Sequence, residues 1–393
     1  MKSPAILNIL PAVAIVLVAA ACTQAEIDCD SRGDAACNAV IGRLLYNVTE
    51  PGIATPRFLY VSNNGSNTIS RFRIDGVGRL TYLGDTPTPG APWDLTVHHN
   101  GRFLYVADTT NNSVTVYSID AFTGDLSQIA NVFHGDGANT FGPYDVLVHP
   151  TGQYLYSSNA NSGANGDSVS TYDLGADGIP VFRSFTSTAS LQPAGLAIAP
   201  DASHIYSGLV QGNSGVGVFS VQSDGTAVYQ YNVTLCGGGT NVSDIALNAS
   251  GTLLFSGQIP GATSCGYRLT DPSNLVSNTP FAHNAGFLSG LKFSTRDDTF
   301  FFANNNGEVL TFVVDTASGF LSGTGTTFSS GGGNGRDLAV EVNGRFVYTL
   351  NADGTVSVFR TDETEGFIEA LLQQTTAGTT PQYMAIAYYN DDH

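Results

Sequence analysis

The chain has 393 residues, with 15 Lys and Arg against 33 Asp and Glu, and a formal net charge of −18. Cations this scarce exclude a nucleic-acid partner, because phosphate needs clustered Lys and Arg, and a hydrophobic content of 42% excludes disorder. The composition is rich in Gly, Asn, Ser, Thr, Val, Tyr and Phe with only 12% charged residues, which excludes a helical bundle.

The first residues read as an address. Lys2 precedes the apolar stretch Ile6 to Ala21, which ends in Val18-Ala19-Ala20-Ala21 before Cys22. This is the layout of a secretory signal, and the run is short for a membrane span. The segment resembles a bacterial lipoprotein signal, although Ala19 stands where that family usually has Leu. The resemblance implies a signal peptide over 1–21, lipidation of Cys22 and attachment to the membrane through that lipid. It also implies an exported, cell-envelope location, sorted to the outer membrane because residue 23 is Thr rather than Asp. Ordinary cleavage after Ala21 is the alternative. The chain has five cysteines, Cys22, Cys29, Cys37, Cys236 and Cys265. With Cys22 lipidated, the other four can form two disulfides in an oxidising compartment. Residues 22–55 show no strand or helix period and read as a tether, with Cys29 and Cys37 enclosing a small polar loop. A zinc site there lacks a nearby His and a second cysteine pair.

From residue 57 one unit recurs. It runs aromatic-rich strand, Asn/Gly loop, β-branched strand, then Asp. Its aromatic anchors are Tyr60, Tyr105, Tyr156, Tyr206, Phe255, Phe301 and Tyr348, spaced by 45 to 51 residues. A period of this length with several strands per unit predicts a β-propeller. Another strand precedes each anchor from the second onward, with Asp94, Asp145, Gly195, Asp244, Gly290 and Asp337 each 11 residues before it. That constancy predicts a hairpin of fixed register. Two further strands follow each anchor. The fold class is therefore all-β: a seven-bladed β-propeller over 56–389 with four antiparallel strands per blade. The first unit lacks its leading strand, since Asn47 to Pro56 carries loop signals, and residues 382–387 form an orphan leading strand. The expected closure is 3+1, with the C-terminal strand completing the blade begun at about 57. The tyrosine anchors read as core between blades.

The repeats resemble the YVTN surface-protein repeats and the seven-bladed lactonase (6-phosphogluconolactonase-like) propeller family. The likeness rests on Tyr60-Val61-Ser62-Asn63 with Asn67-Thr68-Ile69, on Tyr105-Val106-Ala107-Asp108 with Asn112-Ser113-Val114, and on Thr123-Gly124-Asp125-Leu126. By analogy, the face at the start of the leading strands is the ligand mouth. It gathers Trp93, Asp94, Tyr144, Asp145, Asp244, Arg336, Asp337 and Tyr383 as candidate ligand-binding residues, with His134 and His283 on the loops leading in. Asp94, Asp145, Asp244 and Asp337 can together hold Ca²⁺, a cation that favours oxygen ligands. A repeated Asp is also read more simply, as an acceptor for backbone N–H groups at a tight turn. His98, His99 and His149 fall in the opposite hairpin turns and read as solvated. Arg336 is expected either to clamp a carboxylate or to pair with Asp337 or another blade's Asp. Cys236 and Cys265 lie on neighbouring loops of the mouth face, where a disulfide between them is geometrically reasonable.

No Gly-x-Ser-x-Gly elbow, Cys-x-x-Cys, His-Glu-x-x-His or P-loop is present. The mouth counts one Arg against four Asp, and Gly142-Pro143-Tyr144-Asp145 stands where the lactonase resemblance leads one to look for an Arg-His pair. The expectation is therefore a lipid-anchored, non-catalytic binding module for a protein, glycan or small molecule. A lactone hydrolase is the alternative, with no catalytic residue assigned.

Overall fold

In the computed structural model, the described residues are 55–389 without 134–141, 161–166, 189–190, 212–214, 235–240, 260–262, 278–280, 283–287, 305, 316–317, 319–320 and 363–365. The segments expected to be a signal and a tether lie outside them, with Cys22, Cys29 and Cys37, as do His134, Cys236 and His283.

Seven antiparallel sheets form, each built on four consecutive strands apart from the first. Their inner strands are Pro92–Val97, Pro143–Val148, Pro193–Ile198, Asn241–Leu247, Leu288–Phe293, Gly335–Val340 and Pro381–Tyr389. We number the blades so that blade 1 holds Thr55–Asn63, Thr68–Ile74, Leu80–Pro87 and the C-terminal strand Pro381–Tyr389, and blades 2 to 7 follow in chain order. Each inner strand touches the next around a closed ring. The 3+1 closure is as expected, with Leu59 paired to Ile386 and Val61 to Met384. Both closing strands run beyond the boundaries read from sequence. Pro56 pairs with Tyr388 across a register shift, and a bulge is a place where a sheet tolerates proline.

The core lies between blades. Seven buried clusters fill the seven seams, such as Leu59, Val61 and Phe72 of blade 1 against Tyr348, Val356 and Val358 of blade 7. A strand packed on both faces must be apolar on both. Phe103–Asp108 is buried at every position, whereas the outer strand Leu126–Phe133 is fully buried at none.

The anchor tyrosines are also inter-blade joints. Tyr60 donates its hydroxyl proton to Gly124 O at 3.1 Å, Tyr156 to Gly225 O at 2.8 Å, Tyr348 to Gly78 O at 3.1 Å and Tyr206 to Pro272 O at 2.7 Å. Each acceptor is in the outer turn of the following blade. Gly124, Gly225 and Gly78 have φ near +73°, +83° and +79°, and a Cβ there would collide with the rings of Phe58, Tyr154 and Phe346. Hence the repeat carries an aromatic two residues before its anchor and a glycine in the turn that receives it.

A candidate active site at the centre of the ring

Every inner strand is bulged at its outer end, beside the Asp-or-Gly position. A bulge re-aims a side chain, and here it aims the aspartates at the next blade. Asp94 accepts from Val146 N at 3.0 Å, Asp145 from Leu196 N at 2.8 Å, Asp244 from Leu291 N at 3.2 Å and Asp337 from Met384 N at 2.8 Å. Asp244 and Asp337 also accept from Ile245 N and Leu338 N on their own strands. The aspartates are N–H acceptors, but the principal N–H groups belong to the neighbouring blade rather than to a tight turn.

The four are not equivalent. Asp244 and Asp337 are 8% and 2% exposed, whereas Asp94 and Asp145 are half-buried. The cause is the glycine that replaces Asp in the preceding blade. Gly195 backs onto Asp244, where a Cβ would lie 3.1 Å from its Cα. Gly290, at φ +73°, backs onto Asp337, where a Cβ would lie 2.6 Å from its Cα. Those close approaches cover the two aspartates.

Sequence reasoning missed Lys292. It lies two residues after Gly290, hence on the same face of its strand as the Asp-or-Gly position. Burial alone would lower the pKa of its ammonium. The carboxylates of Asp337, Asp244, Asp94 and Asp145 more than offset that, and its pKa is raised. One clue was available: the chain contains two lysines, Lys2 and Lys292. A lysine on an inner strand of so acidic a protein marks a charge partner.

Burial raises all four carboxyls. Asp94 is pushed well above the ordinary range by burial and then by Asp145. Asp145 rises to about 7, burial and Asp244 outweighing the Leu196 N–H, a side-chain hydrogen bond with Asp94 and the field of Lys292. Asp337 also reaches about 7 through burial, opposed by Lys292 and the Met384 N–H. Asp244 rises by burial against the same lysine. The Tyr383 hydroxyl is raised by burial and by all four carboxylates, which places it in their common field. Asp94 and Asp145 are half-buried on adjacent inner strands and titrate as an interacting pair.

The other expected residues are distributed around this centre. Trp93 and Tyr144 pack edge-on, ring centroids 5.3 Å apart, across the seam between blades 2 and 3. The carbonyl of Trp93 accepts from Ser62 Oγ at 2.5 Å, and Tyr383 N donates to the same hydroxyl at 3.1 Å. Ser62 thus joins blades 1 and 2, where Tyr383 replaces Asp. Arg336 does not pair with Asp337 or with any other Asp or Glu among the described residues, and its Nε is buried without an acceptor. Arg336 is the unpaired residue of the bulge between Gly335 and Asp337.

The calcium reading does not fit. Among the described residues, no three His, Cys, Asp or Glu side chains gather closely enough to hold a metal ion. Each carboxylate has an oxygen committed to the backbone of the following blade. Of the histidines, His99 is exposed as expected, whereas the solvated reading of His98 and His149 is corrected. His149 is only 6% exposed; its Nδ1 accepts from Thr151 N at 3.1 Å, and its carbonyl accepts from His99 Nε2 at 3.0 Å. His98 Nε2 donates to Gly152 O at 3.0 Å. These rings tie two hairpin turns together. Cys265 is buried and disulfide-bonded.

The fold and its centre define a seven-bladed propeller with a carboxyl-lined core containing one lysine. Residues 53–143 match the family model described as Lactonase, 7-bladed beta-propeller, in keeping with the resemblance read from the repeats. The 6-phosphogluconolactonase of Pectobacterium carotovorum subsp. carotovorum (strain PC1) is 30% identical over 175 residues, covering 42% of this chain and 49% of that protein. The 6-phosphogluconolactonase of Yersinia pestis (strain Pestoides F) is 25% identical over 297 residues, 68% of this chain and 86% of the relative. The chain thus spans about half the length of the first of these relatives. Among solved structures, the periplasmic gluconolactonase of Pseudomonas aeruginosa superimposes with a TM-score of 0.72 at 20% identity, over 85% of this chain and 99% of that one; that likeness is one of fold. The preference for a non-catalytic binding module is overturned by these relatives, which are lactonases. The preference rested on a charge count at the mouth that left out Lys292.

Proposed function

We propose that the protein hydrolyses a lactone at the centre of the ring. The observation that carries this reading is that adjacent inner strands hold the half-buried carboxyls of Asp94 and Asp145 at the centre of the ring, each fixed by the next blade's backbone N–H; burial raises Asp145 to about 7, and the Lys292 ammonium acts on the same group. A general base works best with a pKa near the operating pH. The Asp145 carboxylate takes a proton from water as the water oxygen attacks the lactone carbonyl. The negative charge then developing on the carbonyl oxygen is stabilised by the Lys292 ammonium. Collapse breaks the ring ester bond, and the departing alkoxide recovers the proton held by the aspartate pair. The product is a hydroxy acid, and atoms and charge balance without a metal or cofactor.

The names of the similar proteins support this reading, and the test is direct. Purified protein is assayed for ring opening of D-glucono-1,5-lactone by pH-stat, beside Asp145→Asn. Wild-type turnover lost in the variant, with melting unchanged, supports the assignment. Equal turnover in both removes Asp145 from the chemistry.

The same proposal takes residues 1–21 as an export signal, Cys22 as a lipid anchor to the cell envelope and residues 22–55 as the tether. It also takes Cys236 as the disulfide partner of Cys265. Mass spectrometry of the exported protein reads the lipid and the pairing in one measurement.

A further inference from the structure

A cavity of about 750 Å³ opens at the seam where blade 7 meets blade 1, a volume in the range of small-molecule sites. It lies at the hairpin end of blade 7, away from Asp337. Three guanidinium groups line it, those of Arg345 and Arg360 from blade 7 and of Arg79 from blade 1.

The adjoining seam, between blades 1 and 2, shows what arginines at these positions bind. Arg73 pairs with Phe58 as Arg360 pairs with Phe346, and Arg57 and Arg345 precede those phenylalanines. Arg57 Nη1 donates to Ala121 O at 3.4 Å and Arg73 Nη2 to Phe122 O at 3.2 Å, both in the outer turn of blade 2, and Arg71 pairs with Asp125 of that turn. The corresponding turn of blade 1 is one residue shorter, running over 75–79 between Ile74 and Leu80 against 120–125 between Ile119 and Leu126. It also reverses a charge: Arg79 stands before Leu80 where Asp125 stands before Leu126. The arginines of blade 7 pair instead with acids of their own blade, Arg345 Nη2 with Glu341 and Arg360 Nε with Glu369, each at 3.0 Å.

A guanidinium carries five N–H donors, so each of these pairs leaves donors over. Arg79 is exposed and in no ion pair among the described residues. Val77 and Leu372 add apolar surface for a carbon skeleton. The carboxylates of Asp362 and Glu369 also line the cavity, and they disfavour a ligand of high negative charge. A carboxylate is a modest anion whose planar geometry matches the guanidinium fork.

We infer that this cavity binds a small organic carboxylic acid, whose carboxylate takes the place that Asp125 fills in the adjoining seam. Bound there, the ligand bridges the first and last blades and stabilises the closed ring, because it binds the folded state alone. The site is independent of the lactonase reading.

The test is a set of thermal melts on the purified full chain, in succinate, in sodium phosphate and in sodium chloride, at equal concentration of the two acids and matched ionic strength. At about 10 mM succinate and a Kd of about 1 mM, Tm is expected to rise by about 2 °C or more over chloride. Arg79→Ala, melting as wild type in chloride, is expected to lose that rise. Arg73→Ala, which alters an exposed arginine of the adjoining seam, is expected to keep it. No rise in the wild type, or a rise that survives Arg79→Ala, overturns the site. An equal or larger rise in phosphate overturns the carboxylate class.

Discussion

The carboxylate of Asp337 accepts a 2.8 Å hydrogen bond from the backbone N–H of Met384, joining blade 7 to the strand that closes the ring. Its other oxygen accepts from Leu338 N at 2.7 Å. Asp337→Ala strands two buried N–H groups, and each unsatisfied buried donor costs about 1–3 kcal/mol. A loss of about 2–4 kcal/mol in urea unfolding is expected, with a smaller loss for the half-exposed Asp94→Ala. Truncation after Thr380 removes the closing strand and is expected to cost the whole ring. A truncated protein that melts with the full chain would refute the closure.

If Asp145 is the general base as proposed, its carboxyl, at about 7, sets the pH dependence of the reaction. The active form of a general base is the deprotonated one, so kcat/KM is expected to rise with pH and level off above about 7. A profile already flat from pH 5 would assign the base to another group.

Lys292 lowers the pKa of Asp337, Asp244 and Asp145, and in the proposed reaction it is the cation for the oxyanion. Lys292→Met is therefore expected to do two things at once. It should reduce kcat by about 10²-fold or more, as loss of an oxyanion partner does, and move the rising limb of the pH profile upward. A fall in kcat with an unmoved limb would separate Lys292 from the carboxyls electrostatically.

His149 and His99 have pKa values lowered chiefly by burial. A neutral form favoured in the fold contributes stability that is complete above the unfolded pKa of about 6.5 and is lost as pH falls through the lower folded value. Blade 5 has Asn248 at the position of His149, 2% exposed and accepting from Thr252 N and Leu253 N, each at 2.8 Å. His149→Asn is expected to keep the turn and flatten the loss of stability below about pH 6.5, as read by thermal melts across pH. The ring carboxyls act in the opposite sense. Their raised values favour the fold at low pH, and that contribution declines as pH rises toward 7.

The blades and their closure were legible because they are written in local, repeated chemistry. An aromatic strand, a turn glycine and a fixed step of 11 residues determine hairpin register, and the missing leading strand at one end matches the surplus strand at the other. The aspartates were legible as a set for the same reason. Their partners were not, since the Asp145–Leu196 and Asp337–Met384 bonds cross seams between residues about 50 apart, and alternation along a strand does not say which neighbour receives a side chain. Lys292 was invisible to the repeat because it occurs in one blade alone. Only the closed ring brings it against carboxyls from four other inner-strand positions, and only the close approach of Gly195 and Gly290 to the next blade decides which aspartates are buried and which remain open to water. Sequence determined the wheel and which residues begin its inner strands; tertiary packing decided the protonation and exposure of the groups at its centre, because both depend on burial and on charges that neighbouring blades supply.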